Sequence, residues 1–180
     1  DHNTSEQYYF DVNEKIPNPK LIKKRRKGIL YSINSWDSKF YNHTNEDAED
    51  FKIDISDSLE KQNWRTFVAA KNEVLIGSCM FLKNWILRSE TSNALDKLFV
   101  KNINSGIEEE IIFSDEPVCV PNISFKQKDR NTDEVYIGYS SPKTPSKVYL
   151  YNFSTKQKKL VKEQLIPSGH NPNDYIVERV

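Results

Sequence analysis

The sequence predicts an all-β chain: an incomplete β-propeller of about three four-stranded antiparallel blades plus the outer half of a fourth. Three observations carry this. First, Tyr8 to Asn13, Phe51 to Ser56, Leu98 to Ile103 and Val148 to Phe153 share one hydrophobic phase, and their starts lie 43, 47 and 50 residues apart. A period in the forties, with four strands per unit, is the signature of propeller blades. Second, no segment sustains the i, i+3, i+4, i+7 apolar spacing of a helix; the best candidate, Ser56 to Gln62, is short and polar and reads as a turn. Third, aromatic residues reach 12% although only 37% of residues are hydrophobic, and aromatic and β-branched side chains suit the half-buried surface of a strand. A blade cannot bury its own faces, so blades must stack, and this stack is too short to close a ring.

Taken in order, the first 27 residues hold the last two strands of a unit, Gln7 to Val12 and Pro19 to Lys24. Residues 28–72 form a blade from Ile29 to Asn34, Lys39 to His43, Asp50 to Ile55 and Arg65 to Ala70. Residues 73–115 form the next, from Leu75 to Leu82, Trp85 to Thr91, Asp96 to Ile103 and Glu108 to Phe113. Residues 116–164 form the most regular one. Its first strand, Val118 to Lys126, is interrupted early by Pro121. Its second, Glu134 to Ser140, puts Val135, Ile137 and Tyr139 on one face. Lys147 to Phe153 follows, and the short charged strand Lys158 to Lys162 suits an outer edge, where unpaired backbone must be kept from other chains. Residues 165–180 form an exit segment. The expected total is 14 strands. With only 5 glycines, Asn, Asp and Ser must serve most turns, because their side chains can bond the local backbone.

Composition narrows the function classes. The formal net charge is zero, so no global field points to nucleic acid or an acidic membrane. The mean hydropathy is −0.73, and no apolar run reaches the roughly 18 residues of a membrane span. The polar start, Asp1 to Glu6, has no initiator Met and no signal-peptide pattern; it reads as a cut inside a longer chain or the product of a truncated or split gene. Cys79 and Cys119 lie in apolar runs and read as buried thiols, and two cysteines make no disulfide framework. A cytoplasmic location is expected, where the glycosylation patterns at Asn42-His43-Thr44 and Asn122-Ile123-Ser124 carry no meaning.

The order of motifs resembles the later part of the propeller domain in the oligopeptidase B (protease II) branch of the prolyl oligopeptidase family of serine peptidases. The matching stretches are Arg25-Arg26-Lys27, Tyr31-Ser32-Ile33, Lys39-Phe40-Tyr41 and Asn84-Trp85-Ile86-Leu87. The most specific is Tyr136-Ile137-Gly138-Tyr139-Ser140-Ser141-Pro142-Lys143-Thr144-Pro145, followed by Val148 to Phe153 and Asn171-Pro172-Asn173-Asp174-Tyr175. The resemblance implies a seven-bladed propeller that covers an α/β-hydrolase domain and admits only short peptides, cleaved after basic residues. Residues 174–180 are then where the chain leaves the last blade for a catalytic domain partner.

The chemistry of that family is not carried by these residues. A nucleophilic Ser on a G-x-S-x-G elbow, with a later Asp and His, is required, and the elbow is absent. Gly138-Tyr139-Ser140-Ser141-Pro142 lacks the second Gly, and Gly77-Ser78-Cys79 has no elbow context. His2, His43 and His170 read as exposed and non-catalytic. Catalytic, cofactor-binding and metal residues are each expected to be none. The basic run Lys20, Lys23, Lys24, Arg25, Arg26 and Lys27 reads as a solvated outer strand and loop rather than a nucleic-acid patch. The acidic groups Glu46, Asp47, Glu49, Asp50 and Glu108, Glu109, Glu110 lack a calcium-loop register; they read as solvated faces, with a surface for basic peptides as the alternative. Trp36, Trp64 and Trp85 read as packing between blades. Two function classes remain: the non-catalytic gating part of a serine oligopeptidase, or a stand-alone interaction module whose open end blades bind a partner or a second copy.

Overall fold

The structure, a computed structural model, describes residues 3–112, 116 and 118–179. His2 and the Phe113 end of one expected strand lie outside them. The described residues form 14 strands and one short 3-10 helix. They are β1 (Tyr8–Tyr9), β2 (Lys20–Leu21), β3 (Tyr31–Trp36), β4 (Lys39–Thr44), β5 (Lys52–Ser56), β6 (Arg65–Val68) and β7 (Leu75–Leu82). Then come β8 (Trp85–Ser92), β9 (Leu95–Asn102), β10 (Glu108–Glu110), β11 (Val120–Phe125), β12 (Glu134–Ser140), β13 (Lys147–Asn152) and β14 (Lys158–Glu163). The sheets are β1-β2, β3-β4-β5-β6, β7-β8-β9-β10 and β11-β12-β13-β14, each in sequence order, and the strand registers described within them are antiparallel. Three four-stranded sheets and one two-stranded sheet match the expected count. Residues 57–62, after β5, form a bend and a turn, not a helix. No described helix is long and apolar enough to cross a membrane.

The chain divides into two compact units, residues 1–79 and 80–180. In the first, Ile22, Tyr31 and Leu59 are buried together, with Tyr9, Ile33, Phe40 and Trp64 packed against them. Side chains knit this unit where the ladder stops. Ser5 Oγ donates to the Tyr31 carbonyl and accepts from the Tyr31 N–H, at 2.9 and 2.6 Å. The Tyr31 hydroxyl accepts from the Gln7 N–H and donates to the Lys23 carbonyl, at 2.9 and 3.0 Å. The two opening strands are far shorter than the alternation predicts. At Asp11 the backbone turns, with Asp11 Oδ1 accepting from the Asn13 N–H at 2.9 Å; an Asx turn of this kind competes with the ladder.

In the second unit, Leu82, Trp85, Leu87, Leu98, Val100, Val135, Ile137 and Phe153 form one core. It joins β7–β9 to β12, so the repeated third-strand phase has a cause: Leu98 and Val100 face the next sheet. Pro121 is tolerated because β11 is an edge strand, where no ladder partner needs its missing N–H. Non-glycine residues do take the positive φ of tight hairpins. Asp37 and Ser38 lie at 48° and 57°, and Asn93 and Ala94 at 51° and 56°, the two-residue turn whose twist matches that of its strands. The β9–β10 and β13–β14 turns are copies. Asn102 Oδ1 accepts from the Asn104 and Ser105 N–H groups, and Asn152 Oδ1 from those of Ser154 and Thr155, all at 3.0 Å. Gly106 takes the positive φ in the first copy and Lys156 in the second, at 71° and 60°.

Candidate functional site

The most specific motif folds into a turn that holds the exit segment. Ser141 and Thr144 exchange backbone bonds, N–H to carbonyl, at 3.1 and 3.3 Å. Ser141 Oγ also accepts from the Thr144 N–H at 2.9 Å. Pro142 and Pro145 fix φ within and after the turn. Glu116 supports it from below: Thr144 Oγ1 donates to one carboxylate oxygen at 2.7 Å, and Ser141 Oγ donates to the other. Burial works against ionisation of Glu116. The hydrogen bonds from Ser141, Thr144 and Tyr139, with the charge of Lys143, outweigh it and hold the carboxyl below its usual range. Ser141 gives its proton to a carboxylate and takes backbone N–H groups on its lone pairs, so it positions a turn and is not poised to attack a carbonyl.

Three contacts fasten the exit segment. The Gln164 N–H donates to the Ser146 carbonyl at 2.8 Å, where β14 ends. His170 Nε2 donates to the Lys143 carbonyl at 2.7 Å, and its ring stacks on Tyr175 with centroids 5.2 Å apart. Asn171 caps the 3-10 helix Pro172–Asp174 by accepting from the Asn173 N–H, and its amide donates to Asp174 at 2.9 Å. Arg179 then donates to the carbonyl of Asn93, in the β8–β9 turn. The arrangement can orient a chain leaving the last sheet; its hydroxyl–carboxylate contacts, Ser141 and Thr144 on Glu116, hold the turn.

The other singled-out residues are dispersed. His43 is not exposed: its Nε2 donates to the Ile76 carbonyl at 2.7 Å and its ring stacks on Phe51 at 4.6 Å. Burial lowers its pKa, against a smaller opposing effect of the Ile76 bond. The alternation of β4 explains this correction, since His43 falls on the same face as buried Tyr41. Cys79 and Cys119 are thiols and only half buried; burial, then Glu116, raises the Cys119 thiol. Trp85 lies in the second core, 5.5 Å from the Phe153 ring, and donates Nε1–H to Asp133 at 2.8 Å. Trp64 packs on the first unit's core, and Trp36 ends β3 half buried. The three-glutamate run is neutralised piecemeal, Glu108 by Arg88, Glu109 by Lys156 and Glu110 by Lys97. Much of the basic run is paired too: Lys20 with Glu60, Arg25 with Glu6, and both Lys23 and Arg26 with Glu46. Glu116 was not foreseen, because an acidic pair ahead of a proline has no periodicity to give it away.

Residues 1–164 match the family described as the prolyl oligopeptidase N-terminal β-propeller domain. The chain belongs to the prolyl oligopeptidase family. Among curated family relatives, it is 26% identical over 163 residues to dipeptidyl aminopeptidase BI of Pseudoxanthomonas mexicana, covering 89% of this chain and 22% of that one. It is 24% identical over 180 residues to protease 2 of Moraxella lacunata, covering 98% and 25%. Of solved structures, oligopeptidase B from Trypanosoma brucei superposes with a TM-score of 0.86 at 20% identity, over 97% of this chain and 26% of that one. Oligopeptidase B from Leishmania major gives 0.86 at 19%, over 99% and 26%. The chain thus spans about a quarter of the length of these family relatives, and the structural likeness establishes the fold.

Proposed function

We propose that this chain is the non-catalytic, gating part of a serine oligopeptidase that cleaves short peptides after basic residues, and is inactive by itself. Residues 28–72, 73–115 and 116–164 are its whole blades, residues 1–27 the outer half of another, and 165–180 the lead into an α/β-hydrolase partner. The observation that carries this reading is the fastening of the exit segment to the Ser141–Pro145 turn through His170. A segment held at the end of the last sheet delivers the next domain at a fixed place, which a lid requires. No cofactor enters the reading, and the cytoplasm is its setting.

The test is hydrolysis of a fluorogenic dibasic peptide by the purified chain, alone and covalently followed by its downstream reading frame. The expected result is no turnover alone, and turnover blocked by a serine-directed phosphonate once a G-x-S-x-G domain follows. Phosphonate-sensitive turnover by the chain alone overturns the reading.

A second reading, a stand-alone module that associates through an end blade, is favoured by one feature. Val148 and Leu150, which share the phase of buried Leu98 and Val100, are only half buried on the last sheet.

A further inference from the structure

The basic run does more than coat an outer strand. Lys23, Lys24 and Arg26 line one cavity of about 410 Å³ inside the first unit, with Ile22, Ile29 and Tyr31 among its other walls. A single carboxylate, Glu46, shares this space. Lys23 Nζ donates to one Glu46 oxygen at 2.9 Å and Arg26 donates to the other. Lys24 makes no ion pair among the described residues and is exposed at the cavity wall. Three cations therefore face one anion. The volume is in the range of small-molecule sites, which are mostly apolar with a few convergent polar groups.

We propose that this cavity is a binding site for a small organic anion, with a carboxylate or phosphate head set among Lys24, Arg26 and Lys23 and an apolar body against Ile22 and Ile29. Glu46 is its internal competitor: it occupies donors of Lys23 and Arg26 that a ligand's oxygens would otherwise take. Arg26 suits the part, because a guanidinium presents several donors in a fixed fork and can hold two anions at once. The site is separate from the exit segment and independent of the lid reading.

Competition gives the test opposite signs at two positions. Isothermal titration of the whole chain at low ionic strength uses benzoate and inorganic phosphate as separate probes. Saturable one-to-one binding of either is expected, benzoate tighter if the apolar wall contributes and phosphate tighter if charge alone does. Lys24→Gln, at an exposed residue outside the Glu46 pairs, is expected to weaken binding about tenfold or more, the effect of losing one charge-assisted bond of about 1.4 kcal/mol. Glu46→Gln is expected to tighten it several-fold, by freeing both donors. No saturable binding of either probe, or binding unchanged in Lys24→Gln, overturns the site and leaves the cluster as an ion-pair clamp. Should Glu46→Gln not fold, the exposed Lys24→Gln decides alone.

Discussion

Arg88 follows Leu87 in the middle of an apolar strand and is nearly as buried, 4% exposed against 1%. Such a charge is tolerated only with its hydrogen-bonding capacity filled. Nε and Nη2 donate to Glu90 at 2.9 and 2.6 Å, Nη1 and Nη2 donate to Glu108 at 2.7 and 2.9 Å, and the guanidinium lies 4.9 Å from the Phe99 ring. Burial alone would lower its pKa, but the bonds to Glu108 and then Glu90 outweigh this and raise it. Glu90 is buried as well, while Glu108 is about one third exposed. Arg88→Met removes the guanidinium that neutralises buried Glu90, and a loss of about 3–5 kcal/mol in unfolding free energy is expected. Arg88→Met with Glu90→Leu removes both buried charges, and most of the loss is expected to return. Urea denaturation of the two variants checks this; a double variant no more stable than the single one means that shape, not charge, sets the cost.

At the scale of elements, the repeated third strand is a packing code whose meaning depends on the next sheet. Leu98 on β9 is 5% exposed and sits in the second core, whereas Leu150, in the same phase on β13, is half buried. Leu98→Ala is expected to cost about 2–5 kcal/mol, the range for a core leucine that leaves a cavity, and Leu150→Ala less than half as much. Equal losses in urea titration refute the code. Strands were legible where alternation is strong and the sheet has four strands: β7 spans Leu75–Leu82 and β12 spans Glu134–Ser140, as the pattern predicts. They were poorly legible in β1 and β2, where alternation runs on but each strand has one ladder partner and Asp11 turns the chain. The site was half legible. The Ser141–Pro145 stretch announces itself by its prolines and hydroxyls, whereas its Glu116 support and the burial of His43 depend on contacts distant in sequence, which no local pattern encodes.

For the whole molecule, the decisive surface is the outer face of the last sheet. Tyr136 pairs with Leu150 and Gly138 with Val148, so Tyr136, Val148 and Leu150 share one face, and Lys159 and Lys162 oppose Leu150 and Val148 across β14. That face has an apolar middle and a charged margin. The margin protects the edge: β14 is exposed along its whole length and carries three lysines, a common defence against strand-to-strand addition. The middle is not protected in this way, and an apolar sheet face of this kind normally meets a partner. The isolated chain is therefore expected to self-associate face to face, not edge to edge. Light scattering at high micromolar concentration should report more than a monomer, Leu150→Lys should return it to monomer, and Lys159→Thr should not. A wild-type chain that stays monomeric there removes the module reading and leaves the lid as the role for these blades. Association that survives Leu150→Lys but disappears on adding a charge to β14 moves the contact from the face to the edge.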